Sequence, residues 1–406
     1  MKIKKYNSIG KEEIKAANKV LRQGILSDFV GSKSKKFYGG KYVQQFEKNL
    51  TKYFKTKYAV VTNSWTSGLI AALGSIGIEP GDEVICTPWT MSACAMSILH
   101  WNAIPIFVDI EKGTYNYNLY DLKKKITSKT KAIIAVDIFG QSENIKSIKK
   151  IIKKKKIKLI SDSAQAIGAK YKDHFAGTMG DIGGFSLNCH KHINTGEGGI
   201  IVTNSKNFAN RCRLIRNHAE SVVNYKNATN LSNMIGYNFR MGEIEAAIGI
   251  EQLKKLKKIV SFRQKLAMCL LNKIKNLPGL ELPVLKKSFS HSFYVIPFNL
   301  DLSKIKYNRS QVIKILKNAG VQGLNIGYQN LHLLPIFKYK IAYGKKSFPW
   351  KNFRKKIIYK PGDCKVAETL HKKTFFYLSL CAFDFKMSHM EKFGNIIKSK
   401  WRQIQN

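Results

Sequence analysis

The chain has 406 residues and a hydrophobic fraction of 44%, enough for two or three domains and too apolar for a disordered polypeptide. No apolar run approaches the ~20 residues of a membrane span, and the first residues lack a signal-peptide stretch, so a cytoplasmic protein with no membrane partner is expected. The net charge of +44 invites nucleic acid, yet the lysines run through the whole chain on polar helix positions with no basic–aromatic motif, so no nucleic-acid partner is expected.

From residue 58 to 203, short apolar runs alternate with amphipathic stretches. Strands are expected at 58–62, 83–87, 104–109, 132–137, 158–162, 184–187 and 199–203, and helices at 66–74, 91–101 and 144–155. This alternation predicts an α/β sheet covered on both faces, with a ligand crevice beyond the carboxyl ends of its strands. A long helix is expected from about 241 to 258, connecting to a second domain. After Leu277-Pro278-Gly279 the texture changes: a strand at 291–300, helices at 310–319 and 368–380, and a long loop over 345–364. The expected division is a large α/β domain over 1–255 and a small α+β domain over 256–406. The seven cysteines are scattered, none in a Cys-x-x-Cys pair, which fits reduced thiols and leaves no metal site.

The chemistry centres on Lys191, between the strand ending at Ser186 and the run Thr195-Gly196-Glu197-Gly198-Gly199. Most lysines in so basic a chain are solvated. One held in a glycine-bounded turn is desolvated, which lowers its pKa and frees a nucleophilic amine. Asp162 ends another apolar strand. It could simply cap the next helix, or its carboxylate could pair with the pyridine nitrogen of pyridoxal phosphate (PLP) and keep it protonated. Gln165 could donate to the cofactor's phenolic oxygen, or be an ordinary polar helix residue. Thr66 and Ser67 open a helix directly after a strand, a ready anion site or a plain cap. Ser186 could add a further phosphate ligand, and Trp89, after a strand and a proline, could stack on a planar ring or be buried structurally.

Several segments then resemble one family. Pro80-Gly81-Asp82-Glu83-Val84-Ile85, Asp162-Ser163-Ala164-Gln165-Ala166-Ile167-Gly168-Ala169, Gly180-Asp181 with Phe185-Ser186 and Lys191, Arg216-Asn217-His218, Gly236-Tyr237-Asn238-Phe239-Arg240-Met241 and Leu331-His332-Leu333-Leu334-Pro335 follow in the order of the DegT/DnrJ/StrS family of PLP-dependent sugar-nucleotide aminotransferases. The resemblance covers roughly residues 24–385. It implies the aspartate-aminotransferase-like fold (fold type I), α/β with a large mixed-sheet domain and a small α+β domain, and a homodimer with shared active sites. It implies Lys191 as the catalytic lysine that joins PLP, held by Thr66, Ser67, Trp89, Asp162, Gln165 and Ser186. Asn238 would reach the phosphate of the neighbouring subunit's cofactor, and His332 and Arg240 would serve the sugar. Two departures stand out: Trp65 where relatives carry a small residue, and a longer segment between His332 and Ala367.

The expected activity is transfer of an amino group, from glutamate by resemblance, to a nucleotide-linked keto-sugar. The product is an amino sugar for a surface glycan or related glycoside. One branch of the family, the sugar dehydratases, has histidine in place of the cofactor lysine. Here His190 and His192 flank the position but the lysine is present, which favours transamination. A non-catalytic PLP-binding regulator is the remaining alternative, and the complete Lys191, Asp162 and Gln165 set speaks against it.

Overall fold

The computed structural model describes residues 3–219 and 233–405. Two amphipathic helices come first, α1 (Lys11–Gln23) and α2 (Lys41–Phe54). The second buries Val43, Phe46, Leu50 and Phe54, a stripe at helical spacing. Then β1 (Tyr58–Thr62), α3 (Trp65–Ser75), β2 (Glu83–Cys86), α4 (Ala93–His100), β3 (Ile104–Phe107), α5 (Leu119–Lys125), β4 (Thr130–Val136), α6 (Ile145–Ile152) and β5 (Lys158–Asp162) alternate as expected. A hairpin, β6 (Lys170–Tyr171) and β7 (His174–Phe175), precedes β8 (Ile182–Ser186), β9 (Gly199–Thr203) and α7 (Lys206–Arg216).

Seven strands form one sheet in the order β1-β9-β8-β5-β4-β2-β3. Strand β9 runs antiparallel to both β1 and β8, and the other adjacent pairs are parallel. The strands are buried almost throughout, as their continuous apolar runs require of a sheet packed on both faces. With β9 alone reversed, six strands deliver their carboxyl ends to one edge. The connection from β8 to β9, residues 187–198, turns over on that same edge and carries Lys191 there.

Helix α8 (Glu243–Ile274) runs for 32 residues, well past the expected end near 258. Its apolar spacing continues through Val260, Leu266, Leu270 and Ile274, and no breaker arrives before Pro278-Gly279. The expected boundary at 255 therefore falls inside this helix. Its first half packs on α1 and α2. Its second half joins the core of a smaller antiparallel sheet. That sheet has the order β10 (Leu280–Glu281), β11 (Ile296–Leu300), β13 (Phe376–Leu378), β12 (Leu324–Asn325). Helix α9 (Arg309–Asn318) lies where expected, and α10 (Pro335–Lys338), α11 (Trp350–Phe353), α12 (Lys365–Thr369) and the closing α13 (Met387–Ile404) complete the chain.

Three expectations need correction here. The helix expected at 368–380 is the end of α12, one wide π-helical turn over Leu370–Thr374, and then β13. The run Phe375-Phe376-Tyr377-Leu378 is aromatic-rich and pairs in the centre of the small sheet, with Phe376 opposite Phe298. The strand expected at 291–300 enters the sheet only from Ile296. The loop expected at 345–364 contains α11 and buries Trp350, Tyr359 and Cys364. Among the described residues no helix is long and apolar enough to cross a membrane.

Candidate active site

Backbone hydrogen bonds fix the turn that carries Lys191. Leu187 N donates to Gly198 O at 2.8 Å, Thr195 N to Leu187 O at 3.0 Å and Lys191 N to Asn188 O at 2.9 Å. The side chain of Asn188 donates to Glu197 Oε1 at 2.7 Å and closes the outer rim. His192 is fully buried and its Nε2 lies 2.9 Å from Ser292 O, so it pins the inner side. Gly196 takes φ 84°, a conformation that favours glycine. Held this way, Lys191 is only 8% exposed and its Nζ lies 4.7 Å from the centre of the Tyr294 ring. Burial lowers its pKa below the usual lysine range, and the nearby Asp162 charge pulls in the opposite direction.

Asp162 ends β5 facing the same space. Its Oδ1 accepts from Trp65 Nε1 at 2.7 Å and from Ala164 N at 3.1 Å, and its Oδ2 from Cys94 Sγ at 2.9 Å. Gln165 accepts from Phe139 N at 2.9 Å and donates from Nε2 to Tyr328 OH at 2.6 Å. At the start of α3, Ser64 is the N-cap and accepts from Ser67 N at 3.0 Å. This leaves the exposed Thr66 at the mouth of the cleft.

Lys191, Asp162, Gln165, Thr66 and Ser186 thus line one cleft, together with Ser64, Trp65, Met91, Ala164, Glu197 and Tyr328. Ser67 stands behind it, its hydroxyl 2.9 Å from Ser64 Oγ. Trp89 does not line the cleft. It is 1% exposed in the core, its Nε1 donates to Tyr328 O at 2.7 Å, and its ring meets Phe375 edge-on at 4.5 Å. The apolar side chain that does reach the cleft from this loop is Met91, 59% exposed. The chain stays buried from Thr87 through Thr90 and first emerges at Met91.

His332 is likewise a core residue, not a cleft residue. It is fully buried, with Nε2 3.1 Å from Glu368 Oε1. That carboxylate also accepts from Gly362 N and Cys364 N, so the pair ties three segments of the chain together. Arg240 and Asn238 lie on a neighbouring extended segment, with Arg240 Nε donating to Asn238 Oδ1 at 2.8 Å and Arg240 Nη1 to Asn217 Oδ1 at 3.2 Å. Neither lines the cleft of its own chain. Tyr294 and Tyr328, from the small domain's side of the cleft, carry no local sequence signature and go unnoticed in the sequence. A second pocket of ≈ 300 Å³ shares His190 and Tyr328 with the cleft and is walled by Phe139, Tyr294, Ile326 and Tyr377. Among the described residues no group of His, Cys, Asp or Glu could hold a metal ion.

A family model for the DegT/DnrJ/EryC1/StrS aminotransferases matches residues 8–374. The chain belongs to that family. It is 31% identical over 347 residues to the spore coat polysaccharide biosynthesis protein SpsC of Bacillus subtilis, covering 84% of this chain and 86% of that one. It is 32% identical over 336 residues to a GDP-perosamine synthase of Vibrio cholerae, covering 82% and 87%. Among solved structures, a GDP-4-keto-6-deoxymannose-3-dehydratase with a trapped PLP–glutamate geminal diamine superposes with a TM-score of 0.80 at 26% identity, over 97% of this chain and 98% of that one. The protein is therefore a PLP-dependent enzyme of the sugar aminotransferase family with the fold type I architecture.

The residues present fit the cofactor. A buried amine faces the cleft, a buried carboxylate stands at its floor, and a helix begins at its mouth with hydroxyls from Thr66 and Ser186. Ala164 and Met91 supply the apolar surface that a planar ring requires.

Proposed function

We propose that this enzyme transfers the amino group of glutamate to a nucleotide-linked keto-sugar, giving an amino sugar for a surface glycan or related glycoside. One observation carries the reading: a desolvated lysine amine shares a cleft with a hydrogen-bonded aspartate. Bound PLP supplies an aldehyde for that amine and a ring that accepts electrons from a carbon losing its proton. The chain supplies the rest. Lys191 acts as nucleophile and then as the base and acid that carries the proton across. Asp162 keeps the ring nitrogen protonated, Gln165 and Tyr328 hold the phenolic edge, and Thr66 and Ser186 hold the phosphate. The pocket beside Lys191, with its aromatic walls and the hydroxyls of Tyr294, Tyr328, Tyr377 and Ser379, suits a sugar ring. The positive field of the chain draws in the nucleotide's phosphates.

In this reading the protein works in the cytoplasm as a homodimer. Asn238 and Arg240, which do not face their own chain's cleft, serve the neighbouring subunit's phosphate and sugar. The similarity to a dehydratase keeps a second reading in view, since that chemistry runs on the same fold. The presence of Lys191 favours transamination.

The test is incubation of the PLP-loaded protein with glutamate carrying a labelled amino nitrogen, and a panel of keto-sugar nucleotides. With glutamate alone the cofactor should pass to its pyridoxamine form, and on addition of the keto-sugar transamination should carry the label into the sugar and return the cofactor to its aldehyde form. A deoxygenated sugar without label would identify the dehydratase. Lys191→Ala should abolish label transfer while the protein stays folded, and normal turnover by that variant would end the proposal.

A further inference from the structure

We infer that Trp65 is a positioning residue that aims the Asp162 carboxylate at the cofactor and links it to the phosphate-binding end of the cleft. The inference rests on the reading of Asp162 as acceptor for the pyridine nitrogen.

The indole N–H lies 2.7 Å from Asp162 Oδ1, a short bond to an acidic side chain, and the ring is only 4% exposed. Such a bond, shielded from water, fixes the orientation of the carboxylate. A carboxylate has about four lone-pair sites. Trp65 and Ala164 occupy two of them on Oδ1, and among the described residues Oδ2 meets the weak thiol donor of Cys94 alone. The remaining capacity belongs to Oδ2, which is where a protonated ring nitrogen would be received.

The indole lies against two glycines. A Cβ on Gly184 would lie 2.1 Å from Trp65 Cζ3, and one on Gly68 would lie 2.7 Å from Trp65 Cε3. These two glycines, one in β8 and one in α3, open the slot that the ring fills. Trp65 is also the first residue of α3 and directly precedes Thr66 at the cleft mouth. One residue therefore reaches two parts of the cleft: its backbone begins the helix that would face the phosphate, and its side chain grips the acid that would face the ring nitrogen. That geometry gives the departure at position 65 a purpose that local sequence does not reveal.

The experiment compares PLP affinity of the full-length wild type, Trp65→Phe, Asp162→Ala and the double variant, by titrating the apoprotein and following the visible absorption of the bound cofactor. Trp65→Phe keeps an aromatic ring in the slot and removes the donor. It should weaken PLP roughly tenfold or more and shift the pH profile of the visible band, with little change in the apoprotein's thermal midpoint. In the Asp162→Ala background the same change should add nothing. Unchanged PLP affinity in Trp65→Phe would overturn the inference, and so would an equal loss in both backgrounds, since the ring would then act by packing alone. If Asp162→Ala itself left PLP binding intact, the error would lie in the role given to Asp162.

Discussion

His192, next to Lys191, offers a test of the turn that holds that lysine. Its Nε2 lies 2.9 Å from Ser292 O and its Nδ1 is buried without a partner. Burial, with help from the charges of Arg263 and Lys191, pushes its pKa from 6.5 to about 3. The folded state thus binds fewer protons than the unfolded state between those values. Its stabilising contribution is complete above pH 6.5 and is lost as pH falls. At pH 5 the unfolded histidine is mostly protonated and the folded one is not, which removes roughly 2 kcal/mol relative to pH 7. His291, also lowered to about 3, adds a term of the same sign. Asp137 and Glu143, raised by burial to about 7 and about 8, add terms of the opposite sign. A comparison of two proteins cancels these shared terms. His192→Gln keeps an amide donor for Ser292 O and cannot titrate. Urea unfolding of the apoproteins at pH 7 and pH 5 should show the wild type losing about 2 kcal/mol more than the variant. Parallel losses in the two proteins would refute the assignment of a buried neutral imidazole.

Two further outcomes separate core from cleft. Trp89→Ala should cost about 3–5 kcal/mol of stability, read as a lowered urea midpoint in the apoprotein. Met91→Ala should leave that midpoint unchanged and weaken PLP in a cofactor titration. Gly184→Ala should fail to yield folded protein, because the added carbon would sit 2.0 Å from Ile200 O and 2.1 Å from the Trp65 ring, and soluble expression with a native circular-dichroism spectrum would contradict the packing.

The strands of the large sheet are legible because each is buried on both faces and therefore reads as an unbroken apolar run, as at Ala132 to Val136. Lys191, Asp162 and Gln165 are legible because each follows such a run and so must emerge at the carboxyl edge. Trp89 and His332 mislead for one reason. Both sit in segments that touch the site, and local sequence does not say which way a side chain points. Tyr328 answers Gln165 from 163 residues away, a contact only tertiary packing creates. The end of α8 is misplaced because a change of texture near 278 marks where the helix stops, whereas the packing partner changes halfway along it. Strand β13 is hidden by its attachment to α12, where helical spacing runs directly into Phe375-Phe376-Tyr377.

An unbroken rod of about 48 Å has no soft joint where one lobe gives way to the other. Rocking of the small lobe would have to bend α8 or slide along it, both of which disturb packed side chains on two cores at once. The two lobes share this one helix, and access to the cleft falls to side chains and loops at its rim.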